Sequence, residues 1–264
     1  MNFVDKKSLL RQYCEVQMKP TYIQCGSFAM ILSAIAGIGL AEIPVKLPSV
    51  DLIIERNIKA LGGEKSMRRL QNREARGTIQ LTTFGAEMPV LLRHAAPNRE
   101  MMELTIDGVG TVLDVFDGLK GWTQTPDGNI TVKKKREVTN KVIDADFYAY
   151  LHFRKNYPKI QLLGLEKFFD KMVYAVKMIP KEGDADTFYF DTATGLVSGV
   201  ASAAEIQGID TKTKVLFRDY KKVDGVRVPH TLELVEPSFA AFTIRLNSVK
   251  HNVKDTANWF RKIK

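Results

Sequence analysis

From Glu74 almost to the C-terminus, apolar and polar residues alternate with a period of two, which restricts this stretch to half-buried strands of an antiparallel sheet. Phe242, Ile244 and Leu246 interleave with Thr243, Arg245 and Asn247, and Val226, Val228, His230, Leu232 and Leu234 interleave with Arg227, Pro229, Thr231 and Glu233. Met102, Leu104 and Ile106 follow the same rule, as do Met172, Tyr174, Val176 and Met178. Turn signals separate the runs at short intervals: Asp107-Gly108, Asp117-Gly118, Pro126-Asp127-Gly128, Glu182-Gly183-Asp184, Thr194-Gly195 and Asp224-Gly225. The pattern predicts a meander of about ten or eleven strands. So many consecutive hairpins call for a strongly curved sheet or a barrel, because wrapping is how such a sheet avoids long exposed edges.

Two segments break the alternation. Val50 to Leu61 reads as a helix, capped by Ser49 or Asp51 and stopped by Gly62-Gly63, with a further helical turn over Glu64 to Leu70. Lys141 to Asn156 has no Gly or Pro and sets Ile143, Phe147, Tyr150, Leu151 and Arg154 at helical spacing. That predicts an aromatic amphipathic helix inserted into the middle of a sheet protein. Such a helix either packs on the sheet as ordinary core or covers the mouth of a curved sheet, where its apolar face meets the interior or a ligand. The expected class is mainly β with helices, α+β.

The N-terminus carries an address. Ser27 to Ala41 (SFAMILSAIAGIGLA) is an apolar stretch behind Lys19 and ahead of Glu42-Ile43-Pro44, with Gly39 and Ala41 as the small residues of a cleavage site. This is the plan of a secretory leader, expected over residues 1–41 with cleavage after Ala41 and a single domain over 42–264. Met18, directly before Lys19, would start a leader of ordinary length and is the expected translation start. At about 15 residues the apolar run falls short of the roughly 20 that a membrane-spanning helix needs.

Both cysteines, Cys14 and Cys25, lie in the leader, so the domain is expected to hold no disulfide, cysteine-ligated metal or thiol nucleophile. The leader also takes four Lys/Arg and two Asp/Glu, lowering the net charge from +9 to about +7. A basic exported protein favours anionic lipid headgroups or an acidic partner, and nucleic acid is not an expected partner in that compartment.

Several short motifs run in order along the domain. They are Lys59-Ala60-Leu61-Gly62-Gly63, Ala75-Arg76-Gly77-Thr78, Ala96-Pro97-Asn98-Arg99, Phe116-Asp117-Gly118 with Gly121-Trp122, and Leu163-Gly164-Leu165-Glu166. Tyr189-Phe190-Asp191 with Thr194-Gly195-Leu196, and Phe217-Arg218-Asp219-Tyr220 with Asp224-Gly225-Val226 and Pro229, complete the series. In layout and in these motifs the chain resembles the LolA/LolB-type periplasmic lipoprotein carriers, and more closely their outer-membrane lipoprotein-sorting-like branch.

The resemblance implies an incomplete antiparallel β-barrel, curved like a half-pipe, with an N-terminal helix and the inserted helix over its open side and a hydrophobic cavity between them. It also implies a non-enzymatic carrier, without cofactor and as a monomer, that shields acyl chains of a lipid or lipoprotein in the periplasm and meets an inner- or outer-membrane transport partner. The candidate lining is Met102, Leu104, Trp122, Met172, Val176, Phe188, Phe190, Phe242, Ile244 and Leu246, with Phe147, Tyr150 and Leu151 from the inserted helix. Methionine and aromatic residues suit a pocket that adapts its shape and suit an ordinary core equally well. Family carriers tie the lid to the barrel with an arginine on an early strand, for which Arg93 and Arg99 both offer themselves.

Other chemistry finds little support. His94, His152, His230 and His251 are scattered without zinc-ligand spacing, and His230 on the apolar side of its strand reads as a core histidine. There is no Gly-x-Ser-x-Gly elbow and no Gly-rich phosphate loop. Asp144, Asp146 and the Glu182–Asp186 turn lack a calcium ligand ladder and read as solvated acids. The sharpest charge feature is Lys133-Lys134-Lys135-Arg136, which reads either as a lysine-protected edge strand or as a contact for anionic headgroups or an acidic partner beside the cavity mouth. Two further readings stand beside the carrier. One is an envelope-stress sensor or interaction protein on the same half-barrel. The other, an integral outer-membrane barrel, is disfavoured by Arg227, Glu233, Arg245 and Asn247 on alternate faces of the last strands.

Overall fold

The computed structural model describes residues 47–82, 85–206, 209–238, 241–254 and 256–261. The segment expected to be a leader, with Cys14, Cys25 and the expected cleavage site after Ala41, lies outside the described residues. Helix α1 (Val50–Leu61) begins where Ser49 Oγ accepts the Leu52 amide at 3.2 Å and presents Ile53, Ile54, Asn57 and Leu61 as its buried face. It ends at Gly62 with φ of 123°, where a Cβ would stand 2.2 Å from the Gly225 carbonyl oxygen. Only glycine lets the helix end approach that hairpin. A short helix, α2 (Glu64–Arg68), leads into the sheet.

The sheet has thirteen antiparallel strands. Six come first: β1 (Asn72–Leu81), β2 (Glu87–Ala95), β3 (Arg99–Ile106), β4 (Gly110–Phe116), β5 (Gly121–Gln124) and β6 (Ile130–Val132). After the insertion follow β7 (Lys159–Phe168), β8 (Lys171–Ile179), β9 (Asp186–Asp191), β10 (Val197–Ile206), β11 (Ile209–Val223), β12 (Val226–Glu236) and β13 (Phe242–His251). Their order across the sheet is β6-β5-β4-β3-β2-β1-β13-β12-β11-β10-β9-β8-β7. Two meanders therefore meet at one long-range pair, β1 with β13, and the sheet stays open, with β6 and β7 as its edges. The count exceeds the expected ten or eleven, chiefly because β5 and β6 are too short to show a period.

The insertion joins the two edges. It comprises helix α3 (Lys135–Asp144), a 3-10 turn at Ala149–Leu151 and helix α4 (Phe153–Asn156), where the sequence suggests one helix from Lys141 to Asn156. The helical start falls earlier because the Lys134 amide donates to Glu137 Oε2 at 2.8 Å and closes the first turn of α3. Lys135 and Arg136 are thus on a helix, and the four-cation run does not form an edge strand.

Curvature follows from what α3 touches. Asn140 Nδ2 donates to Asp184 Oδ2 beside β9 at 2.9 Å, and the next residue, Lys141, binds Glu100 on β3. In a flat sheet β3 and β9 would lie roughly 34 Å apart, at about 4.8 Å per strand. Consecutive helix residues can reach both only if the sheet bends until its two halves face each other across the insertion. The architecture is a curved, open half-barrel with helices against its inner face.

The two halves of that inner face are treated differently. On one, Val176, Met178, Phe190 and Val197 are sealed by Ile53 and Ile54 of α1 and by Phe153 and Tyr157 of the insertion. The seal is keyed by polar contacts: Asn57 Nδ2 donates to the Gly195 carbonyl at 2.8 Å and Arg227 Nη1 to the Ala60 carbonyl at 2.7 Å. On the outer face, Trp259 and Phe260 fold back onto Ala95, Met101, Val115 and Trp122. No helix among the described residues is long and apolar enough to cross a membrane.

Candidate functional site

Strand register assembles the other half of the inner face row by row, since directly paired residues share a face. One row reads Leu246–Gly77–Val90–Leu104–Val112 across β13, β1, β2, β3 and β4. The row above it reads Val249–Ala75–Leu92–Met102–Asp114, and Ile244–Ile79–Met88 lies below. Phe242 and Leu232 continue the apolar surface onto β12. Every described residue in this cluster comes from a strand. Met88, Leu92, Met102, Ile106, Val112, Leu232, Phe242 and Val249 each stay partly exposed. The result is an apolar trough running for three rows along the strands.

One more row ends the trough, and it is charged: His251–Arg73–His94–Glu100–Phe116. The insertion lies over this row. His94 Nε2 donates to the Ala145 carbonyl at 2.7 Å, which leaves Nδ1 as the acceptor facing Arg73 Nη2 at 3.4 Å. Burial, then the Arg73 charge, pushes the His94 pKa down to about 4, so the ring is neutral at pH 7. Burial opposes the Lys141 ammonium, but Glu100 and Asp114 outweigh it and hold the pKa above its ordinary value. Lys133 is paired in the same way, with Asp114 at 2.5 Å.

The C-terminal half of α3 also borders a shallow cleft lined by Asn140, Ile143, Asp144, Asp184, Asp186, Ser202 and Ala203. Burial pushes the Asp144 carboxyl up to about 7, helped by Asp186 and Glu100 and opposed by Lys141. Its side chain faces the cleft and is exposed to solvent, which screens part of that effect. Asp186 is also raised by burial, against hydrogen bonds from Ser202 and Tyr157 that favour its anion. No group of three metal-ligating side chains occurs among the described residues.

The sequence-derived lining residues separate into groups. Met102, Leu104, Phe242, Ile244 and Leu246 come together in the trough. Val176, Phe188 and Phe190 belong to the sealed half. Phe147, Tyr150 and Leu151, on the insertion itself, pack against Leu61, Met67, Leu70 and Val226. Trp122 stands on the outer face with Trp259, and Met172 is 47% exposed at the start of β8. Of the basic run, Lys133 is held by Asp114, and Arg136 by Asp184 and Asp210.

Neither early-strand arginine reaches the insertion. Arg93 lies over the Trp259 ring at 4.8 Å and Arg99 over Phe260 at 5.1 Å, both on the outer face. The tie from an early strand to the insertion is His94. Its position was readable, because His94 falls in phase with Met88, Val90 and Leu92, as Glu100 does with Met102 and Leu104.

A curved open antiparallel sheet with helices on its inner face defines the LolA-like fold, and solved structures of that class align with this chain over most of their length. An outer membrane lipoprotein-sorting protein domain of Vibrio parahaemolyticus, so described provisionally, matches with a TM-score of 0.54 at 13% identity, covering 78% of this chain and 97% of that one. A DUF1329 family protein of Desulfovibrio piger gives 0.54 at 13%, covering 80% and 97%. A LolA superfamily protein of Nitrosomonas europaea gives 0.54 at 10%, covering 82% and 99%. At such identities the likeness is one of fold. No family model matches the sequence, and no curated protein does.

Proposed function

We propose that this chain is an exported, non-enzymatic carrier or binding protein for a lipid or a lipidated protein, working in the periplasm with an acyl chain held in the trough. The observation that carries the reading is the contrast within one inner face. Helices seal the half around Phe190, while the rows from Leu246 to Val112 are built by strands alone, with Val90, Leu104 and Ile244 as a buried floor and Met88, Leu92, Met102, Val112 and Phe242 keeping partial contact with solvent. A contiguous apolar surface left open in this way marks a binding site. An acyl chain laid along it gains about 0.8 kcal/mol per methylene removed from water. Met88 and Met102 give the lining the adaptability that a carrier needs in order to bind and then release. The shared LolA-like fold and the secretory leader support the same reading.

The test is to purify the mature protein without detergent, extract it with organic solvent and identify bound lipids by mass spectrometry, then titrate the delipidated protein with a fluorescent acyl probe. A co-purifying lipid and saturable probe uptake are expected. A protein that emerges empty and takes up no acyl probe would end the carrier reading.

A further inference from the structure

The charged row that closes the trough contains a cation without a partner of opposite charge. Lys141 has Glu100 and Lys133 has Asp114. Arg73, which stands between His251 and His94 in the row, has among the described residues one hydrogen-bond contact, the 3.4 Å approach to the neutral His94. Its other neighbour in the row, His251, is turned to Asp224 at 3.0 Å. Tyr150 and then Glu100 act on Arg73 through space, but burial raises the Tyr150 pKa and keeps its phenol neutral, and the Glu100 carboxylate is held by Lys141. Arg73 is partly buried, and burial is the strongest influence on its guanidinium, lowering its pKa. A buried cation left unpaired is costly, and a guanidinium offers five donors in a fork shaped for a carboxylate or phosphate.

We infer that Arg73 is the receptor for the anionic head group of an amphiphile whose hydrocarbon chain lies along the trough. This rests on the acyl-chain reading above and adds to it the charge and the polarity of the cargo. Arg73 and the apolar residues Ala75, Ile79 and Leu81 share one side of β1, so head group and chain are laid out along a single strand. Ala75 to Leu81 spans about 20 Å at roughly 3.4 Å per residue, the scale of a long acyl chain. The head group sits under the insertion, because His94 beside Arg73 holds the Ala145 carbonyl. Arg73 donates to the anion through its free N–H groups, and no bond is made or broken.

The experiment uses the mature protein and displacement of a fluorescent acyl probe by tetradecanoate and by tetradecanol, which share a chain and differ in head charge. Wild type is expected to bind the carboxylate about tenfold more tightly than the alcohol, as a charge-assisted hydrogen bond would provide. Arg73→Gln should bring the two within about twofold by weakening the carboxylate alone, and Arg73→Lys should keep most of the preference. Equal binding of both amphiphiles to wild type, or a preference unchanged in Arg73→Gln, overturns the head-group assignment and leaves the trough reading standing. Failure of both to bind wild type overturns the two together. Inorganic phosphate and acetate should not displace the probe, and if either does so at the same concentration as tetradecanoate, the ligand is a free anion and the inference fails. Should Arg73→Gln not fold, the wild-type preference and its loss on adding salt decide the matter without it.

Discussion

The two halves of the inner sheet face carry similar residues and are covered differently, one sealed by helices and the other built by strands alone. Around Val176, Met178 and Phe190 the apolar side chains are fully buried under α1 and the insertion. Around Leu92, Met102 and Phe242 comparable side chains keep partial exposure, and only strands contribute to the cluster. The difference lies in the cover, not in the strands. Burial of the first half goes into holding the fold together, while the open half retains unburied apolar surface that a ligand can use.

Substitution should separate the halves most sharply. Phe190→Ala removes a fully enclosed ring and is expected to lower the unfolding free energy by about 3–5 kcal/mol in urea denaturation. Met102→Ala, in the trough, should cost less than about 1 kcal/mol yet weaken acyl-probe binding severalfold, because its partial exposure leaves little cavity behind. If the two variants lose stability alike, the division between structural and receptive halves collapses. A smaller loss, about 1–3 kcal/mol, is expected for Asn57→Ala, which strips the Gly195 carbonyl of its buried donor at the seal between α1 and the sheet. Binding should be little changed in that variant.

The tie between sheet and insertion adds a pH signature. His94 has a folded pKa of about 4 against an ordinary 6.5, so in this window the unfolded chain takes up a proton that the folded one refuses. Its contribution is present above pH 6.5 and is lost as pH falls toward 4. Melting temperatures measured across this range should therefore fall less steeply with acid in His94→Gln than in wild type. The smallest effect is expected at the N-terminal end of α3, where the exposed Arg136 is paired with the exposed Asp210 and the half-buried Asp184. Arg136→Ala should leave the melting temperature nearly unchanged while speeding hydrogen exchange of the α3 amides.

Much of this contrast could be read in the chain before its structure. The alternation in Val226–Leu234 and Phe242–Leu246 announces β12 and β13, and Ser49 with Gly62-Gly63 brackets α1. Phe242, Ile244, Leu246, Met102 and Leu104 share one surface, as the period of two within each strand requires. It does not say which face is the inner one, so Trp122 was grouped with residues that lie across the sheet from it. The first half of the insertion left no signal either. Helix α3 buries none of its residues and is held by Lys141, Arg136 and Asn140, so no apolar stripe reveals it. The phase of His94 puts it on the apolar side of its strand, but that it stands in one row with Arg73 is a property of strand register, which no single strand's sequence displays.

The pairing of β1 with β13 has a consequence in time. Residues 72–81 must find residues 242–251, so the joint between the two meanders waits for the longest-range pairing of the sheet, at a high loop-closure cost. The trough is built from strands on both sides of that joint, β1 to β4 on one and β12 and β13 on the other. A chain in which that joint has not closed can therefore form hairpins but no trough, and on the carrier reading proposed above it would hold no acyl chain.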